Sequence, residues 1–313
     1  MFTLKKSHIV RLFLWLCLST IGTQAFAEKQ PEILSTILPI HLIAEEIAGE
    51  HASAKLLIPA TQNIHHYTLK PSALRTIKKA DLVIRVSPNM ERFLNKTLEG
   101  KKVLTWMELK SIHALPARMR HTHNYVHKDA HETETMDATK LDSHLWFNPE
   151  NARLLIAQIA HELSILDAAH AEAYTKNAQR LQDNIKQTEE HIIKTLGDTT
   201  LRYAVFHDAW QYFQDYFGVT APRTLNIQEG IPPSAKQVKE LRGHLLEDNI
   251  VCLVASPQSN QALLNALVEG NKTKIVILDP KGAQLPDNHQ GYAGLLAYTF
   301  EQLKSCKGQS HVH

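Results

Sequence analysis

The sequence predicts an α/β protein of two lobes, each a parallel sheet flanked by helices. One long rigid helix joins the lobes, and the functional cleft lies between them. Three observations lead to this fold. Strand-like apolar runs alternate with helical stretches both before and after the middle of the chain, the pattern of parallel sheets. Between the two sets, the stretch after Pro149 contains no proline, and no glycine before Gly197. Within that stretch Leu181, Ile185, Ile192 and Leu196 fall on one helical stripe. The lobes are therefore expected at 28–147 and 199–313, with the linking helical segment at 148–198.

The first 27 residues stand apart from the fold. Lys5, Lys6 and Arg11 precede the short apolar run Leu12–Leu18, and Ala25-Phe26-Ala27 is a small-residue cleavage site. This is a secretory signal peptide, with cleavage expected after Ala27; the apolar run is too short to span a bilayer. The expectation is an exported protein with no stable membrane anchor. The full chain carries 34 basic and 32 acidic residues, and the leader holds three of the basic ones and no acidic one. A mature chain this close to neutral offers no basic face for nucleic acid or an anionic membrane. Export also leaves Cys252 and Cys306 as an even pair in an oxidising compartment, the setting of a disulfide.

In the first lobe, strands are expected at 32–39, 54–59, 81–87 and 103–107. Helices are expected at 41–49, 71–80 and 90–98. Periodicity then disappears from about 112 to 142, where His121, His123, His127 and His131 are spread among acidic residues; this reads as a mobile loop. Asn148-Pro149-Glu150-Asn151 starts the linking helix, with proline just inside its first turn. In the second lobe, strands are expected at 201–206, 250–255 and 274–278. Helices are expected at 208–217, 234–247, 258–269 and 291–306.

Four polar residues then share one address. His65 follows the second strand, His144 follows the irregular loop, and His207 and Asp279 each end a strand. Ligands of open α/β sheets bind at the carboxyl ends of strands. Three imidazoles and a carboxylate gathered there suit a d-block cation, Zn²⁺ in particular. A secreted zinc hydrolase is the competing class, but no H-E-x-x-H helix is present and only Asp208 adjoins a candidate ligand.

Several segments carry a resemblance. Ile64-His65-His66-Tyr67-Thr68-Leu69-Lys70-Pro71-Ser72 and Ala80-Asp81-Leu82-Val83 resemble two consecutive motifs of the metal-binding receptor family of ABC importers. Asp142-Ser143-His144-Leu145-Trp146, Phe206-His207-Asp208-Ala209-Trp210 and Leu278-Asp279-Pro280-Lys281-Gly282 follow in that family's order. The match spans the mature chain and is nearest to the family's periplasmic zinc-binding branch, which also has a His-rich acidic loop and a C-terminal cysteine pair. The resemblance implies a solute-binding protein, not an enzyme, that captures Zn²⁺ in the periplasm. It implies His65, His144 and His207 as ligands, with Asp279, water or His66 in the fourth position. The His-rich loop becomes a secondary, weak metal-binding segment. The implied partners are an ABC-type zinc permease and a periplasmic zinc chaperone, with the chain acting as a monomer. An Mn²⁺ or Fe²⁺ receptor and an adhesin share the fold and remain alternatives. This chain departs from the family pattern at Ile64, His66 and Ser256.

Overall fold

The computed structural model describes residues 29–62, 64, 67–118, 141–197, 199–225 and 233–308. In the first lobe, β1 (Glu32–Ser35), β2 (Ser53–Leu56), β3 (Leu82–Arg85) and β4 (Val103–Thr105) pair in parallel, in the order β2-β1-β3-β4. Ile33, Leu34, Leu82, Val83 and Ile84 are buried. Such apolar runs are those of a sheet covered on both faces. α1 (Leu38–Ala48) and α2 (Pro71–Lys79) carry the crossovers, each with proline in its first turn. α1 stops at Gly49, whose φ is +53° and whose missing Cβ would stand 2.9 Å from the Asn177 side chain. A side chain there would be strained by both backbone and neighbour.

The helical segment in the middle of the chain opens as the sequence predicts. α3 (Pro149–Leu166) is capped by Asn148, whose side-chain oxygen accepts from the backbone N–H of Glu150 at 2.8 Å and Asn151 at 3.1 Å. It differs from the expectation farther on. The helix ends at Asp167, and after a short turn at Ala168–His170 the chain folds back on α3 as α4 (Ala171–Leu196). Asp167 takes non-helical angles, and its carboxylate accepts from the Tyr174 hydroxyl at 2.6 Å and from His170 Nδ1 at 2.8 Å. An aspartate that can bond locally competes with the helix ladder. The long rigid connector between the lobes is thus α4, 26 residues long, braced by α3.

The second lobe repeats the first. β5 (Tyr203–Val205), β6 (Arg223–Thr224), β7 (Cys252–Ala255) and β8 (Lys274–Ile277) are parallel in the order β6-β5-β7-β8. α5 (Gln211–Phe217), α6 (Ala235–Glu247), α7 (Gln261–Val268) and α8 (Gly291–Lys304) complete it. The two-residue β6 was not visible in the sequence, being too short to show a period. The helix expected at 90–98 is only a turn at Arg92–Leu94. There the buried Glu91 carboxylate accepts from the N–H of Val86 and Ser87, each at 2.9 Å, and from the Thr36 hydroxyl at 2.7 Å. It thereby joins the carboxyl ends of β1 and β3. The segment expected to be a loop from 112 to 142 is partly built into the fold. Ile112 and Leu115 pack on the core, and Pro116 bridges Leu141. His121, His123, His127 and His131 lie outside the described residues.

One apolar cluster runs through both lobes, from Ile33 and Val83 through Trp146, Phe147 and Leu181 to Phe213, Tyr292 and Leu296. A smaller one, around Leu245, Leu253 and Leu264, fills the outer side of the second sheet. Cys252 on β7 is bonded to Cys306, just past α8. Closing a loop with a sequence separation of 54 should contribute about 4 kcal/mol by restricting the unfolded chain. Replacing both cysteines by serine is expected to lower the urea midpoint accordingly, and reductant should then have no further effect.

Candidate metal centre

The residues leading into α3 place the first imidazole. His144 precedes a tight turn at Leu145–Phe147, which is buried on the shared core. Asp142, itself buried, accepts at Oδ1 from the His144 backbone N–H at 3.0 Å and from His144 Nδ1 at 2.6 Å. An imidazole that gives its Nδ1 proton to a carboxylate presents the lone pair of Nε2, the arrangement of a metal-binding histidine. The Asp142 carbonyl in turn accepts from the Tyr212 hydroxyl at 2.9 Å, so α5 of the second lobe holds this support in place.

The second imidazole comes from the other lobe. His207 lies between β5 and α5, and its Nε2 stands 3.0 Å from His144 Nε2. The rings meet edge to face at 5.0 Å. Two nitrogens on a tetrahedral zinc with bonds of about 2.0–2.1 Å lie roughly 3.3 Å apart. The pair is therefore only slightly closer than a shared ion requires. Trp146 packs against His144 with ring centroids 5.1 Å apart and is itself buried, walling one side of the site from water.

Negative charge stands behind the pair. Asp208, next to His207, is half-buried; burial pushes its carboxyl up, while Arg118 beside it pulls it down. Arg118 donates from Nη1 to Asp208 Oδ2 at 2.8 Å and from Nη2 to Gln214 at 2.6 Å. Asp142 Oδ2 and Asp208 Oδ1 have no hydrogen-bond partner among the described residues. The Asp142 carboxylate on His144 favours a cation on the other side of that ring, while Arg118 offsets the charge of Asp208.

Asp279 is placed differently. It follows β8 and is buried. Its Oδ1 accepts from the Lys281 N–H and its Oδ2 from the Ala283 N–H, both at 3.0 Å. The carboxylate thus organises its own turn. Among the described residues no three His, Cys, Asp or Glu side chains come together as a metal cluster, so the structure brings together His144 and His207 but does not add Asp279 to them. His65 and His66 lie outside the described residues. The loop that leads to them is held from across the cleft: Lys281 Nζ donates to the carbonyls of Ala60 at 2.7 Å and Gln62 at 2.6 Å. Partial burial pulls the Lys281 ammonium down, and Asp279 raises it. Sequence reasoning passed over Asp142, Arg118 and Lys281 as functional residues. Only Asp142 left a signal, the Asp-x-His spacing.

A family model described as zinc-uptake complex component A, periplasmic (ZnuA), matches residues 33–306. The chain belongs to the ZnuA family. It is a periplasmic zinc-binding component of a zinc-uptake system. It is 28% identical over 287 residues to the high-affinity zinc uptake system protein ZnuA of Yersinia pestis, covering 88% of this chain and 90% of that one. It is 27% identical over 314 residues to the protein of that name from Brucella abortus strain 2308, covering 91% and 94%. Among solved structures, a crystal structure of ZnuA superposes with a TM-score of 0.72 at 20% identity, covering 90% of this chain and all of that one. The Zn(II)-bound ZnuA-like domain of Streptococcus pneumoniae AdcA gives 0.71 at 22% identity, with 90% and 100% covered. Both show the two-lobed fold. Among the described residues no helix is long and apolar enough to cross a membrane.

Asp142 holds Nδ1 of His144; if that imidazole binds zinc, Asp142→Asn should weaken binding by roughly 10–100-fold, as loss of an outer carboxylate partner typically does. Competition against a chromophoric chelator measures this, and an unchanged affinity would remove Asp142 from the site.

Proposed function

We propose that the chain captures one Zn²⁺ between its lobes and hands it to an ABC-type permease. In this reading His65, His144 and His207 are the imidazole ligands and Asp279 supplies the carboxylate. The observation that carries it is the 3.0 Å gap between the Nε2 atoms of His144 and His207, one from each lobe. Three nitrogen ligands favour Zn²⁺ over Mn²⁺, which prefers oxygen. Each Asp279 oxygen keeps a second lone pair beyond its backbone bond, so coordination need not dismantle the turn. Protons compete with the metal for the imidazoles, and affinity should fall as pH is lowered.

The ion is cargo in this reading, not a catalyst. A hydrolase needs a carboxylate base aimed at a zinc-bound water, and Asp208 instead faces Arg118. The leader is removed after Ala27, and the mature chain works as a monomer. The segment with His121, His123, His127 and His131 binds zinc weakly, since its ligands must be ordered at the moment of binding. It could receive zinc from a periplasmic chaperone or collect the free ion.

Alanine at His65, His144 or His207 should each abolish tight zinc binding, whereas deleting residues 121–131 should leave it nearly intact. Isothermal titration of the four proteins decides this; tight binding lost with the loop deletion alone would move the site elsewhere. Equal displacement of Zn²⁺ by Mn²⁺ would favour a manganese receptor. Because the lobes share a core, solution scattering of zinc-free and zinc-bound protein should nearly coincide, and a large compaction would contradict the rigid link.

A further inference from the structure

The turn after β8 touches the first lobe at two separate places. Its Pro280 carbonyl accepts from Trp146 Nε1 at 2.8 Å, two residues beyond His144. Its Lys281 ammonium reaches the carbonyls of Ala60 and Gln62, across sequence separations of 221 and 219. The turn is rigid enough to transmit both contacts. Asp279 accepts from the backbone N–H of Lys281 and Ala283, and its carbonyl from that of Gly282 at 3.1 Å. Gly282 has φ +81°, where a side chain would be strained, and an added Cβ would stand 3.0 Å from Leu295 and 3.3 Å from Leu285. The loop on the other side is itself a tight turn, with the Gln62 N–H donating to Pro59 at 2.8 Å. Ile64, which follows it, is buried in the core, and His65 is the next residue in the sequence.

We propose that Lys281 is a positioning residue, whose ammonium pins the Ala60–Gln62 turn of the first lobe to the second lobe and thereby slows zinc release. The inference rests on zinc being held between the lobes. An ammonium suits this task because it donates up to three hydrogen bonds from one point and has no acceptor to repel a carbonyl. Two carbonyl oxygens converging on it form charge-assisted bonds, stronger than neutral ones. The lobes cannot part at the Ala60–Gln62 turn without breaking both.

The test compares wild-type mature protein with Lys281→Met and Lys281→Arg. Zinc loss to excess chelator should quicken about ten-fold in the methionine variant, the scale expected for a lost charge-assisted hydrogen bond. Arginine, which can still donate to both carbonyls, should restore slow release; a merely space-filling role would be served as well by methionine. In zinc-free protein, amide exchange across residues 57–62 should rise in the methionine variant and stay low with arginine. Should Lys281→Met fail to fold, Lys281→Gln takes its place. Release and exchange both equal to wild type would overturn the proposal. Faster exchange with unchanged release would also overturn it, since the clamp would then not govern the ion. A wild-type protein that yields its zinc at once would instead refute capture between the lobes, leaving the exchange result to judge the clamp alone.

Discussion

The buried indole of Trp146 is the contact on which the rest of the molecule depends. Its Nε1 donates to Pro280 in the second lobe, and its carbonyl accepts from the hydroxyl of Tyr292 on α8 at 2.6 Å. A fully buried tryptophan needs a partner for its one N–H, and here the partner lies in the other lobe. Around it, Asp142 fixes His144, Asn148 caps α3, and Asn151 bonds the backbone of His113 in both directions. The site is therefore positioned by the core itself. A change that let Trp146 shift would move the imidazole two residues away and leave several buried polar groups unpaired, each costing about 1–3 kcal/mol.

The same contacts govern motion. A hinge requires a thin, polar boundary that can open without exposing apolar surface. Here Phe147, Phe213, Tyr292 and Leu296 belong to one cluster that crosses the boundary. The buried Glu189 of α4 also joins Arg153 on α3 to Tyr216 on α5. Separating the lobes would expose this core at roughly 25 cal/mol for each Å² of apolar surface. Beside the buried contacts of Trp146 and Tyr212, two connections near the site are thinner: a lysine on two carbonyls, and an arginine on an aspartate and a glutamine. If zinc is held between the lobes, its release should accordingly be local rather than a parting of the lobes.

Much of this was legible in the sequence because it follows from period and punctuation. The strands of both lobes apart from β6, the Asn148-Pro149 helix start and the pairing of Cys252 with Cys306 each left a local mark. What was hidden depended on distant partners. Nothing near Asp167 announces that Tyr174 and His170 will turn its carboxylate into a helix stop. The stretch after Met90 has helical composition, but Glu91 is drawn into the core to serve two strand ends. His144 and His207 could be nominated as ligands one by one, yet the 3.0 Å between them arises from tertiary packing alone. Lys281 reads as an ordinary surface lysine until the Ala60–Gln62 turn is set against it.

The repeated strand order shows why the two lobes contribute unequally. β1 and β5 occupy the same place in their sheets: Ser35 stands opposite Ile84 as Val205 stands opposite Val254. Counting on from these pairs, the first lobe has Ile37 where the second has His207. The pairs Ile84 with Leu104 and Val254 with Val276 likewise set Met107 against Asp279. In the first lobe α1 begins at Leu38 and the buried Glu91 carboxylate closes the strand ends. In the second, α5 does not begin until Gln211, and the intervening residues stay at the mouth of the sheet. The strand ends of the second lobe thus carry polar side chains, while the first lobe must reach across with segments outside its sheet, the turn at His144 and the loop after β2. On the proposed reading, an ion between them would meet a fixed surface on one side and loops on the other, an asymmetry that would let a rigid two-lobed body both retain a cation and give it up.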